Sequence, residues 1–510
     1  MSYRDKAAQG VLWTTVQSWG KRLASLLTFV VVARLLSPDE FGVVALALVF
    51  ISLFTVVQES GFAQAIVQRE ALEDEHLDTA FWFSLAMGTG FMLALLAAAP
   101  ALASVLDSPR LEGVLRCLSP MFVLSGLKST PSAVLQRALR FKVLALRDTL
   151  SAVVGGVVGV VMALSDFGVY ALVGQQLAQA GVAVATLWTA TTWRPAARFS
   201  RRHLRDLYRF GVIVLGSNVL GVVNRQADNL LVGVFLGNVA LGAYTVGYRM
   251  LTMLTEMFIG TVSRVTQPTL ARLQTEPARM RNALYAATRM ASFVAFPVFL
   301  GLSALAPEAV EVFFGDHWAA AVPVMRILGF IGALHAVMHL LGNALVAAGR
   351  PGTNLRVGIA TTVLNLVGFA TAIALGFGIA GVAAAYTLCA YVMAPVQLVV
   401  ARRVLGISLR TFVRAALPAA CASIVMWGAV VGTTGAAHDL AAPLRLGLGT
   451  LVGGAVYLAV ILLVARDLPL EALDFARRAR SPRAQRAGSA AAPAEALAVP
   501  PRAAPGADVG

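Results

Sequence analysis

An all-α polytopic membrane protein is the fold class this sequence predicts. Of its 510 residues 58% are hydrophobic and only 13% are charged, and apolar runs of span length recur along nearly the whole chain. Ordinary soluble domains carry roughly 25% charged residues, and no soluble fold of this size hides so much apolar surface. Lipid is the natural solvent. A helix needs about 20 mostly apolar residues to cross the hydrocarbon layer. Open sheet edges are not tolerated there, so the spans are helical.

Taken in order, spans are expected near 11–36, 41–61, 80–106, 114–136, 147–165 and 168–193. After the basic segment RPAARFSRRHLRDLYRF they resume near 211–236, 240–263, 284–306, 322–347, 355–376, 379–401, 411–433 and 445–465, fourteen in all. The first run begins behind Arg4 and Lys6, as a signal peptide does, but Lys21-Arg22 interrupts it and no small-residue cleavage site follows. It is read as a retained helix.

The loop charges orient the chain. With the N-terminus in the cytoplasm, the inner connections hold Arg137, Arg140 and Lys142, then Arg194, Arg198, Arg201, Arg202 and Arg205, and later Arg350, Arg356, Arg402 and Arg403. The outer connections are short and hold few cations, and one of them, PEAVEVFFGDHW, is acidic. This alternation is the positive-inside rule, and it places both termini in the cytoplasm. The formal charge of +15 thus belongs to membrane topology. A nucleic-acid face, with basic and aromatic residues interleaved, is absent from the sequence. Cys117, Cys389 and Cys421 are scattered through apolar stretches and read as small buried hydrophobes, neither a disulfide framework nor a metal site. From Arg466 the chain turns rich in Ala, Pro and Arg without apolar periodicity, which predicts a disordered basic cytoplasmic tail. Its cations rest either on anionic lipid or in solvent.

An internal repeat organises the spans. LSPDEFG at 36–42 returns as LGNVALG at 236–242, and further on Arg116 aligns with Arg326, Arg140 with Arg350, and Phe167-Gly168 with Phe377-Gly378. An even number of spans per copy makes the copies parallel, related by an axis along the membrane normal. The expected units are a six-helix half at 1–200, a second at 201–405, an added helix pair at 406–465 and the tail at 466–510. Within the motif, Ser37 caps a helix, Pro38 suits its first position and Glu40 completes an S-x-x-E capping box, which makes it a tight outer turn.

ARLLSPDEFGVVALALVF followed by ESGFAQAIVQRE resembles the opening of the Wzx-type polysaccharide exporters, in particular their colanic-acid exporter branch. DNLLVGVFLGNVALGAYTVGYRM followed by QPTLARLQ resembles the start of their second half, and the likeness runs over roughly residues 5–430. That family belongs to the multidrug/oligosaccharidyl-lipid/polysaccharide (MOP) superfamily. The resemblance implies a flippase of the bacterial inner membrane. It would carry undecaprenyl-diphosphate-linked oligosaccharides to the outer leaflet for exopolysaccharide or lipopolysaccharide synthesis. It implies a polysaccharide polymerase and glycosyltransferases as partners, membrane lipid as surroundings, and no catalytic residue, cofactor or metal.

A path for such a head group needs cations and hydrogen-bonding groups across about 30 Å of hydrocarbon. Charges inside spans cost about 2.5–3.5 kcal/mol on insertion scales and so face a cavity or a partner. In GSNVLGVVNRQADNLLVG, Asn218, Arg225 and Asn229 share one helical side, and Asn224 and Asp228 lie on an adjoining strip. Arg225 suits phosphate oxygens. Asp228 either pairs statically with Arg225 or takes a coupling H+ or Na+. In span one Gln17, Ser18, Lys21, Ser25 and Thr28 form a polar strip, and Lys21 and Arg22 either line the path or snorkel to the inner interface. Spans one and seven would then form two walls of one cleft. Lys128 in span four and Arg249 and Glu256 in span eight complete the candidates, with Glu256 a second coupling-ion residue. His335 and His339 are four apart, but HAVMH lacks the glutamate of H-E-x-x-H, so a polar cavity or core role is expected. The rival readings are a cation-coupled drug exporter or peptidoglycan-precursor flippase of the same superfamily. A membrane polymerase or ligase would need a larger outer loop than the sequence offers.

Overall fold

A computed structural model describes the chain at residues 20, 22, 24–59, 66–67 and 73–469. Lys21, Gln17 and Ser18 of the expected path, and the tail from 470 onward, lie outside the described residues. Among the described residues there are helices and no strands. Helix α1 covers Ala24–Leu35. It is followed by α2 Pro38–Glu59, α3 Asp74–Val105, α4 Pro109–Leu118, α5 Met121–Arg137, α6 Phe141–Leu164 and α7 Val169–Ala190. A long run, α8 Arg201–Arg272, leads to α9 Pro277–Ala304, α10 Ala306–Phe313 and α11 Ala321–Ala347. The chain closes with α12 Pro351–Ala374, α13 Gly378–Leu405, α14 Leu409–Ala436 and α15 Ala442–Val464. Among the described residues ten helical stretches are long and apolar enough to cross a membrane. Their outward Leu and Val side chains, such as Leu451 and Leu463, stay exposed, as a lipid-facing surface does.

One span differs from its expected form. The fourth is broken at Ser119-Pro120 into a short amphipathic α4, which buries Leu111, Val114, Leu115 and Leu118, and a 17-residue α5. Pro120 has no N–H to continue the ladder and crowds the turn before it. The seventh and eighth part at Gly237, in the expected gap, and its φ of 84° and ψ of 176° belong to a region open to glycine alone. At the matching place in the first copy the turn is made by side chains. There the Ser37 N–H donates to Glu40 Oε2 at 2.8 Å and the Glu40 N–H to Ser37 Oγ at 3.4 Å, which is the expected capping box.

The two copies of the motif meet in space. Helix α2 packs along α8, and the contact is reciprocal. A Cβ on Gly42 would stand 1.8 Å from the Asn238 carbonyl oxygen, and one on Gly242 would stand 1.9 Å from that of Pro38. Position 42 touches 238 while 242 touches 38, the exchange that a local two-fold axis produces.

The acidic PEAVEVFFGDHW segment is structured rather than loose: it comprises α10 and one 3₁₀ turn, Asp316–Trp318. The fully buried Trp318 donates its indole N–H to the Ala33 carbonyl at 2.7 Å, and Arg34 donates to the Val312 carbonyl at 3.0 Å. Phe41 meets the Trp318 ring edge-on at 5.3 Å, and Phe29 meets Phe314 at 5.7 Å. This aromatic plug closes the end of the bundle at which α1 stops. Trp318→Ala is expected to destabilise the fold by about 3–5 kcal/mol, and Trp318→Phe by only about 0.5–1.5 kcal/mol for the lost hydrogen bond. Thermal unfolding in detergent separates the two.

Candidate functional site

The reversal at Gly237 folds the two limbs of α8 onto each other and brings Asp228 against Tyr244. Asp228 is 2% exposed. Its Oδ2 accepts from the Tyr244 hydroxyl at 2.8 Å and its Oδ1 from the Asn229 N–H at 2.8 Å. Among the described residues no cationic side chain forms an ion pair with it. The static pair with Arg225 is not formed: Arg225 is exposed, and its guanidinium lies back along its own helix beside Gly221. A buried carboxylate with hydrogen bonds but no counter-charge is costly.

From Asp228 an aromatic series leads outward through the bundle. The Tyr244 ring stacks on Tyr248 at 5.9 Å, Tyr248 lies 6.2 Å from Tyr386, and Tyr386 meets His335 edge-on at 5.9 Å. His335 lines a cavity of about 550 Å³, together with Asn224, Thr255 and Glu256 of α8, His339 and Asn343 of α11, Asn354 and Thr361 of α12, and Gln397 of α13. The α11 and α12 residues lie towards the turn that joins those two helices, so the cavity faces the end opposite the Trp318 plug. Asn365 reaches its rim: its Nδ2 donates to Asn224 Oδ1 at 3.4 Å, while its buried Oδ1 has no hydrogen-bond partner among the described residues.

The expected residues divide clearly. Asn224 and Glu256 line the cavity, as do His335 and His339. Arg22 donates to the Glu256 backbone carbonyl, and the Arg249 guanidinium stands 5.9 Å over the Phe29 ring of α1. Helix α1 therefore meets the limb of α8 after Gly237, the expected eighth span, where the seventh was anticipated as its opposite wall. Thr28 of the expected polar strip packs against Gly156 of α6. Asn229 is engaged within its own helix, donating to Gln226 Oε1 at 3.0 Å. Asn218 and Lys128 are half-buried and do not line the cavity. Tyr244, Tyr248, Tyr386, Asn365 and Gln397 were not singled out in the sequence. The Y-x-x-x-Y spacing of YTVGY, two polar rings on one face of an apolar helix, is the signal that would have found the first two.

A helical membrane bundle that holds a polar cavity towards one end and is plugged at the other is the architecture of a transporter. The chain belongs to the polysaccharide biosynthesis protein family, which matches residues 31–323. It is 29% identical over 496 residues to the succinoglycan biosynthesis transport protein ExoT of Rhizobium meliloti (strain 1021), covering 94% of this chain and 98% of that protein. It is 25% identical to the lipopolysaccharide biosynthesis protein WzxC of Escherichia coli (strain K12), over 75% of this chain and 77% of that one. Its fold is similar to that of the lipid II flippase MurJ in an inward closed conformation, with a TM-score of 0.74 and 14% identity over 90% of this chain and 99% of that one. The helical bundle anticipated from the resemblance is the fold found, similar also to that of an inward-facing multidrug resistance MATE family transporter of the MOP superfamily, with a TM-score of 0.63 and 17% identity over 76% of this chain and 94% of that one. The chain is a multi-pass membrane transport protein of polysaccharide biosynthesis.

Proposed function

We propose that the chain is the flippase that moves undecaprenyl-diphosphate-linked oligosaccharide units from the inner to the outer leaflet of the bacterial inner membrane. The observation that carries this reading is the polar cavity inside the bundle, away from the Trp318 end, with Arg22 donating to the backbone carbonyl of its wall residue Glu256. The relatives named for succinoglycan transport and lipopolysaccharide biosynthesis favour a glycan cargo over a drug. In this reading fourteen passes form two six-helix halves, 1–200 and 201–405, with 406–465 an added pair. The halves rock about the axis at which Gly42 and Gly242 exchange contacts. Both termini are cytoplasmic, so the described state faces inward. Arg22, Arg225 and Arg249 attract the diphosphate or acidic sugars, and Lys21, outside the described residues, is expected to share that role. Asn224, Asn354 and Gln397 offer hydrogen bonds to hydroxyls. Asp228, or Glu256 at the cavity wall, carries H+ or Na+. A polymerase consumes the delivered unit, and glycosyltransferases supply it.

The test is the double variant Arg22→Gln/Arg249→Gln. Export in a complementation assay should fall at least about tenfold, the equivalent of 1.4 kcal/mol, with normal membrane levels of the protein. Normal export from the inserted double variant would overturn the role assigned to these two cations.

A further inference from the structure

We propose that Glu73, His76 and His203 form a binding site for a divalent cation of the zinc type, at the end of the bundle opposite the Ser37 turn. Glu73 and His76 open α3, whereas His203 stands in the first turn of α8. One donor atom from each lies within 4.8 Å of the other two. Glu73 Oε2 is 3.5 Å from His203 Nε2. Two ligands of a tetrahedral zinc ion, with bonds of about 2.0–2.1 Å, stand roughly 3.3 Å apart. The His76 and His203 rings face each other with centroids 4.0 Å apart. Two imidazoles and a carboxylate suit zinc, whereas calcium and magnesium prefer an all-oxygen set.

An outer-shell carboxylate stands close by, beside a His203 Nδ1 that has no hydrogen-bond partner among the described residues. Glu75 Oε2 lies 3.5 Å from the other ring nitrogen of His203, Nδ1. A metal-bound histidine habitually gives its remaining N–H to such a carboxylate, which fixes its tautomer. Both rings ligate as neutral imidazoles. For His76 the proton stays on whichever nitrogen the ion does not take, and the Glu73 N–H contact to its Nδ1, already long at 3.3 Å, is given up. His76 is buried and the His203 side chain is 13% exposed, while that of Glu73 is 68% exposed. The ion is thus reached from solvent on one side and backed by protein on the other.

The two backbone segments are held in register without the ion. The Ala196 N–H donates to Asp78 Oδ1 at 3.1 Å, the Ser200 N–H to Thr79 Oγ1 at 3.1 Å, and the Trp82 indole N–H to the Ala196 carbonyl at 2.8 Å. The segment that leads into α8 is therefore strapped across α3. A bound cation adds a further tie at the end of that strap and fixes the start of the helix that carries Asn224 and Asp228.

The experiment uses the full-length protein in detergent, stripped by a chelator and titrated with Zn²⁺, with bound zinc read by atomic emission after gel filtration. A single zinc ion per chain is expected, with tetrahedral d–d absorption when Co²⁺ replaces it. His203→Gln should abolish binding. Glu75→Gln should weaken it about 10–100-fold, as loss of an outer-shell partner does. Glu73→Gln keeps its helix-capping oxygen and stands in solvent, so it tests ligation even if a histidine variant fails to fold. Wild-type protein that holds no more zinc than Glu73→Gln, or Co²⁺ that stays octahedral, would overturn the proposal.

Discussion

Alanine at Gly42 or at Gly242 is expected to lower the thermal stability of the protein and to stop export. A Cβ at either position would stand 1.8 or 1.9 Å from a backbone carbonyl oxygen of the facing helix, Asn238 or Pro38. A carbonyl cannot rotate aside as a side chain does, so the helices must part. Overpacking of this kind costs roughly 1–3 kcal/mol, and here it acts on the contact at which the two motif copies meet. The reciprocity adds a sharper expectation. Once one alanine has pushed α2 and α8 apart, the second meets less resistance, so the double variant should cost less than the sum of the singles. Gly90, with nothing within 4 Å of its virtual Cβ, is the control. Gly90→Ala should be neutral or stabilise by about 0.5–1 kcal/mol. Melting curves of the four variants in detergent provide the measurement. Additive losses at 42 and 242 would mean that the contacts do not share one axis.

Asp228→Asn is the second change with a large expected effect. The amide keeps the size of the carboxylate and an acceptor for the Tyr244 hydroxyl, now at 2.8 Å, so the fold should survive. Export should nonetheless fall at least about tenfold, a 1.4 kcal/mol effect on any equilibrium the charge controls, because the neutral amide offers no charge to a coupling cation. Tyr244→Phe acts differently. It leaves the buried carboxylate one donor short, at a cost of about 1–3 kcal/mol, so stability should drop along with export. Thermal midpoints and export measured side by side distinguish the two variants. Unchanged export by Asp228→Asn would leave Glu256 as the residue that takes the ion.

The residues explain why some of this was legible in the sequence and some was not. Apolar length and loop charge are local and one-dimensional, so the helical membrane class could be read directly, as could the Ser37–Glu40 capping box, whose bonds span three residues. The likeness of LSPDEFG to LGNVALG was legible, and Gly42 and Gly242 of these two stretches lie against Asn238 and Pro38. The break at Gly237 falls in the expected gap between spans seven and eight, but the partners it brings together were not legible, because spacing along the chain does not say which side chains face each other across a turn. Asp228 meets Tyr244 only because the limbs fold back, and α1 meets the second limb for the same reason. His203 and Glu73 are likewise joined only by the strap across α3. Long-range convergence of this kind leaves no periodic trace in a single sequence.

The cargo and direction of transport are the heart of the account, and deletion of the gene tests them most directly. Lipid-linked oligosaccharide should accumulate in the deletion strain, accessible to labelling only from the cytoplasmic face of the membrane, and re-expression of the wild-type chain, but not of Asp228→Asn, should clear it. A deletion strain that still presents the normal share of lipid-linked oligosaccharide on the outer leaflet would contradict the account.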